Sequence, residues 1–155
     1  MAGTGVDTRA LKTLSADLEK LLEEVPELRR EYHEDVAREM EQAVRGEIGR
    51  SGIDDSRGHV KSWQAGHVGS GGGYAAIRPI GSKEGAATGP DSPGAVTNYL
   101  EHGHRNRDDS FAPGRHFYSK ARAAVEGYAI RRAEGLMEAV RKRAEGGHDQ
   151  AAGDS

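Results

Sequence analysis

Apolar residues recur every three or four positions along the first third of the chain. Leu11, Leu14, Leu18, Leu21, Leu22, Val25, Leu28, Tyr32, Val36, Met40, Val44 and Ile48 form one stripe, which is the signature of an amphipathic helix. The spacing predicts helix from about Thr8 to Gly49. Charges fill the other face, with Glu34–Arg38 and Glu41–Arg45 at the i,i+4 spacing that supports a helix. Pro26 interrupts the run. It bends the helix or starts a second one, because the preceding Val25 is pushed away from helical angles. A helix this long outreaches a small core, so it packs on a neighbour, on another subunit, or stands partly free.

The pattern changes after residue 49. GRSGIDDSR (49–57) is a run of turn formers. The mixture of β-branched, aromatic and polar residues in GHVKSWQ predicts a short strand, with the single tryptophan, Trp63, anchoring the core. GSGGG (69–73) predicts a flexible connection to a second strand, YAAIRPI (74–80), which pairs with the first as a hairpin and ends near Pro79. Residues 81–94 form a loop rich in glycine and small polar residues. Ser92–Pro93 then supplies an N-cap with proline at the first helical position. Val96, Tyr99 and Leu100 continue a short helix over 93–102, closed by Gly103, with a strand through Val96, Asn98 and Leu100 as the rival. A polar loop, 103–114, is framed by Gly103 and Pro113–Gly114. Beyond it, Phe117, Ala121, Val125 and Tyr128, then Ala129, Ala133, Leu136 and Val140, mark the last helix. Its end carries Arg141, Lys142 and Arg143, where the helix dipole favours cations. The expected fold class is therefore α+β: a long N-terminal helix, a small antiparallel β-sheet, a short helix and a long C-terminal helix. One domain spans 1–145, and 146–155 is expected to be a disordered tail.

Composition narrows the class. The chain has 155 residues, 35% hydrophobic and 30% charged, which fits one domain with a thin core. Many of the 22 glycines fall between residues 46 and 114, so the middle is irregular. The absence of cysteine excludes a disulfide scaffold and cysteine-ligated metal. No apolar run approaches the ~20 residues of a membrane span, and MAGTGVDTRALK lacks the apolar stretch of a signal peptide. The net charge of −3 is unevenly placed. Residues 1–50 carry 8 basic and 12 acidic side chains, whereas 103–145 carry 10 basic and 6 acidic. Opposite signs at the two ends suit assembly with copies of the chain or with a charged partner, or simply mark two solvated helix faces.

Candidate chemistry is sparse. GSGGG precedes Tyr74 and lacks the lysine of a phosphate loop and the third glycine of a dinucleotide fingerprint. His102 and His104 flank Gly103, and His116 follows, but this spacing is not that of a zinc-binding helix. Glu101 sits beside His102 without a marked nucleophile or oxyanion donor, and pairing with an arginine or a backbone amide is its expected role. Asp54–Asp55 and Asp108–Asp109 are expected to be solvated loop acids. No catalytic, cofactor-binding or metal-binding residue is predicted. The candidate interaction residues lie in the polar loop: Arg105, Arg107, Phe111 and Arg115. Phe111 is a lone large apolar side chain among charges, the profile of a docking anchor.

The segments VTNYLEHGHR and FAPGRHFYSKARAAVE together resemble the small tail-component, or tail-completion, family of long-tailed bacteriophages, found at the head–tail junction. In that family a tyrosine and an apolar residue precede a Glu-x-Gly turn, then come a variable loop and a proline–aromatic approach to the C-terminal helix. The matching residues are Tyr99, Leu100, Glu101, Gly103, Pro113 and Phe117. Many members carry Thr after the turn, where this chain has His104. The resemblance implies an α+β fold, no catalysis, and a ring of copies, usually six, around the DNA channel of the virion neck, assembled in the host cytoplasm. It implies tail terminator or tail tube proteins and head-closure or connector proteins as partners. DNA would pass through the lumen without sequence-specific binding. Within such a ring the loop is expected to reach a protein of the adjacent ring. A nucleic-acid-binding regulator using Arg105, Arg107, Arg115 and the basic last helix is the competing class, and a hydrolase or toxin built on the histidines is a third.

Overall fold

The computed structural model describes the backbone of residues 8–151 and the side chains of residues 8–146. The apolar stripe of the first third becomes two helices, α1 (Thr8–Glu24) and α2 (Pro26–Arg50). Pro26 opens α2, and Val25 leaves helical space at φ −129°, ψ 86°. Hydrogen bonds still cross the joint, from Val25 N–H to Leu21 O and from Arg29 N–H to Val25 O, both 3.1 Å. Of the α1 stripe only Leu22 is fully buried, while Leu11, Leu14, Leu18 and Leu21 are half-buried. Of the predicted helical pairs, Glu41–Arg45 forms at 2.7 Å, but Arg38 turns to Asp35 at 3.0 Å instead of Glu34.

The last helix, α5 (Phe117–Ala151), runs antiparallel along α2. The Tyr32 hydroxyl donates to Ala129 O at 3.3 Å near one end. At the other end Val44 and Ile48 pack with Phe117 and Ala121. Arg132 on α5 bridges Glu31 (3.1 Å) and Asp35 (2.9 Å) on α2. Part of the charge asymmetry between the two ends is thus satisfied inside one chain. The helix backbone continues past Lys142 to Ala151, beyond the point where the sequence suggested a disordered tail; residues 152–155 lie outside the described residues.

The middle departs from expectation at residues 59–63. They form a short helix, α3 (His59–Trp63), not a strand. The cause is local: the Asp55 carboxylate accepts the N–H groups of Val60 (2.9 Å) and Lys61 (3.1 Å), capping a helical turn that β-propensity alone would oppose. The strand β1 follows at Gln64–Val68 and pairs antiparallel with β2 (Ala75–Pro79), in register from Gln64↔Pro79 to Val68↔Ala75. Trp63 therefore precedes the sheet. It is half-buried and packs against the cluster of Val44, Ile48, Val60, Phe117 and Ala121. The glycine-rich connection is held in place: Arg29 donates to Gly71 O at 2.9 Å, and His33 Nδ1 bonds Gly72 O at 2.8 Å.

The helix α4 spans Pro93–His102, with the Ser92 hydroxyl accepting Ala95 N–H at 3.2 Å, so the rival strand is excluded. The polar loop is a second hairpin, β3 (Gly103–Arg105) with β4 (Phe111–Pro113). The architecture is α+β. Two small antiparallel hairpins flank an antiparallel helix pair, and α1 packs on both of those helices. Among the described residues no helix is long and apolar enough to cross a membrane.

Candidate functional site

The residues singled out between Tyr99 and Phe117 converge on one joint, where α4 ends, the β3–β4 hairpin leaves and returns, and α5 begins. Glu101 lies at its centre, 5% exposed. Its carboxylate accepts the N–H of Tyr118 at 3.1 Å and of Ser119 at 3.4 Å, the second and third residues of α5. A cap residue immediately before a helix ordinarily takes these N–H groups. Here the preceding residue is His116, at a positive φ of 54°, and Glu101 takes them from across the hairpin.

The two strands of the neck are clamped below the tip. Arg115 N–H donates to Leu100 O at 2.7 Å and His116 N–H to Glu101 O at 3.2 Å. This closeness explains the framing glycines. A Cβ on Gly114 would lie 2.3 Å from Glu101 O, and one on Gly103 would lie 2.6 Å from Ala112 O. Gly103 also adopts φ +85°, which L side chains rarely tolerate. Phe117, fully buried, plugs the joint into the core.

Behind the joint lies a buried polar chain that the sequence did not advertise. The Tyr118 hydroxyl donates to Gln64 Oε1. Gln64 Nε2 donates to Val60 O at 3.1 Å and to Thr97 Oγ1 at 3.2 Å. Gln64 and Thr97 are among the most buried polar residues of the protein. Burial, and then the charge of Glu101, hold the Tyr118 hydroxyl above the usual tyrosine range. Gln64 reads in sequence as an ordinary polar residue after Trp63, and no spacing signal ties it to Thr97 and Tyr118.

A groove of about 490 Å³ opens beside this chain, walled in part by Thr97, Glu101, His102, Tyr118 and Ser119. Its carboxylate is engaged by two backbone amides, and its phenol is engaged by Gln64. His104 turns to the ring of Tyr99, centroids 5.6 Å apart, and its Nδ1 is shielded without a hydrogen-bond partner. Among the described residues no group of three or more His, Asp or Glu is assembled to hold a metal ion. The paired acids act as turn and cap residues. Asp55 caps α3, and Asp108 accepts the hydroxyl and then the N–H (3.1 Å) of Ser110, which lower its pKa.

What the joint presents is the hairpin. Its turn is tied by Asn106 N–H to Ser110 O at 2.8 Å and Asp109 N–H to Asn106 O at 3.1 Å. Arg105 faces Asp109 at 3.6 Å, both well exposed. Arg105 pairs across the strands with Phe111, so the two share one face, while His104 and Ala112 share the other. His104 leans on Tyr99 of α4, so the Arg105–Phe111 face points away from that helix. Phe111 is 66% exposed. Arg107 and Arg115 are exposed as well, on the tip and at the return. Comparison with protein-family models, with curated proteins and with solved structures returns no match.

Proposed function

We propose that this protein is a non-catalytic structural component of a long-tailed phage neck or upper tail, forming a ring that joins tail to head around the DNA channel. The supporting observation is the joint itself. Three of the residues that carry the resemblance to tail-completion proteins are spent on mechanics: Glu101 caps α5, Gly103 permits the crossing, Phe117 fills the core. Their common result is a braced hairpin that exposes Phe111, Arg105 and Arg107. Such a device suits contact with another protein. The nucleic-acid alternative draws less support, since α3 is only five residues long and the loop arginines stand beside Asp108 and Asp109. On this reading the partners are further copies of the chain, tail terminator or tail tube proteins, and head-closure or connector proteins. The protein then resides in the virion and, during assembly, in the host cytoplasm.

The test is the mass of the purified protein, alone and mixed with tail proteins, together with particle assembly. The expected result is a closed ring of several copies. Replacing 105–112 with a Gly-Ser linker should leave the domain folded while head–tail joining fails. A chain that stays monomeric under all these conditions, or a linker variant that still yields joined, infectious particles, would refute the reading.

A further inference from the structure

A second groove runs between α2, β2 and α5 and shares Ile77 and Tyr118 with the groove at the joint. Its volume is about 350 Å³ and its lining is almost wholly apolar. Val44, Ala121 and Val125 make the floor, Met40 and Ile77 the sides, and the Arg122–Glu126 pair stands on the rim. We propose that this groove receives the Phe111 face of the hairpin from the next copy of the chain, so that neighbouring subunits join head to tail. The inference rests on the ring reading above and names the contact that would build the ring. It places the hairpin on the adjacent copy and not on a protein of the adjacent ring.

Three observations select this occupant. The first is apolar complementarity. Phe111 is a large aromatic held open to solvent on a braced hairpin, and the groove is an apolar slot left open on the same molecule. If one fills the other, a single contact removes water from both.

The second is charge. The hairpin presents Arg105 with Asp109, and the groove rim presents Arg122 with Glu126. Both pairs are solvent-exposed and i,i+4, with Arg105–Asp109 loose at 3.6 Å, so each pair alone contributes little. Exchange across the contact gives Arg105 to Glu126 and Arg122 to Asp109. All four charges then keep a partner, in a place that Phe111 shields from water.

The third is separation. The Phe111 ring lies over Gly103, where its Cζ would stand 2.8 Å from an added Cβ, and Phe111 is not part of the groove wall. Hook and slot are distinct patches of one chain. Such a contact is heterologous, and a heterologous contact builds a ring where its rotation closes and an open filament where it does not.

Cysteine cross-linking tests the geometry cleanly, because the native chain has no cysteine. Arg105→Cys and Glu126→Cys are made separately, mixed and mildly oxidised, with the protein in whichever state it assembles, alone or with tail proteins. The mixture should give a covalent dimer, and either variant alone should give far less. Phe111→Ala should weaken self-association by about 10- to 100-fold, the loss expected for one buried aromatic. At a dilution where both are monomeric its unfolding midpoint should match the parent, because Phe111 is exposed within one chain. If the parent forms rings while the mixture cross-links no better than the single variants, this interface is wrong and the ring reading stands. If Arg105→Cys links instead to an added tail protein, the hairpin belongs to the adjacent ring and the inference is overturned. If nothing larger than a monomer forms alone or with tail proteins, both readings fall.

Discussion

Glu101→Ala should destabilise the protein by about 2–3 kcal/mol. Two contributions add. The carboxylate is 5% exposed and accepts the Tyr118 and Ser119 N–H groups at 3.1 and 3.4 Å, so it acts as a helix cap. Loss of a cap costs about 1 kcal/mol. Its negative charge also faces the positive end of α5, worth about 0.3–1 kcal/mol on a surface and up to ~2 kcal/mol when partly buried. No neighbouring side chain replaces it, since His116 precedes the helix with its ring exposed. Glu101→Gln keeps an acceptor for one amide and loses the charge, so it should fall between parent and Ala. Urea unfolding followed by circular dichroism reads the difference directly. Thermal melting should show a fall of about 4–12 °C, at 2–4 °C per kcal/mol for a domain of this size. An alanine variant within about 0.5 kcal/mol of the parent would mean that the cap geometry contributes nothing and that the joint is held by its backbone clamp alone.

Gly114→Ala should cost more than about 2 kcal/mol, because its Cβ would press 2.3 Å from Glu101 O. Gly135→Ala, with open space around it on α5, should instead stabilise by about 0.5–1 kcal/mol in the same unfolding assay. Leu22→Asp should unfold the protein or nearly so, by several kcal/mol, whereas Leu21→Asp, on the half-buried side of α1, should cost distinctly less, as judged by the same midpoints. Burial raises the pKa of Tyr118 and Tyr32 above the ordinary value of 10.0. Their contribution is therefore intact below that pH, and the urea midpoint should fall as pH rises beyond it. Tyr118→Phe should flatten part of that fall, at the cost of leaving Gln64 Oε1 without its donor.

The helical ends were legible because their signals are long or chemically singular. Pro26 marked the α1–α2 joint, and Ser92–Pro93 marked the start of α4. The middle was not, for identifiable reasons. HVKSW has the composition of a strand, but the helix is decided by Asp55, outside the window, bonding to Val60 and Lys61. The β3–β4 hairpin consists of Gly-His-Arg and Phe-Ala-Pro, three residues each, too short for any period to emerge. Glu101 was correctly expected to meet a backbone amide or an arginine, and the amides of Tyr118 and Ser119 are its partners. That these belong to the first turn of α5 depends on how the chain folds back at Gly114, which no spacing encodes. The Gln64–Thr97–Tyr118 chain joins residues 33 and 54 positions apart, beyond the reach of local pattern.

The clamp at the hairpin's base carries a consequence for variation. Arg115 and His116 are fastened to Leu100 and Glu101 below the tip, so the scaffold fixes where the excursion starts and stops and not what it contains. Lengthening such an excursion is thermodynamically cheap, about 0.6 kcal/mol for each doubling of loop length. The segment between Arg105 and Phe111 is therefore a cassette. A foreign peptide, an epitope or a binding loop could be spliced there, and α4 and α5 would register the same joint.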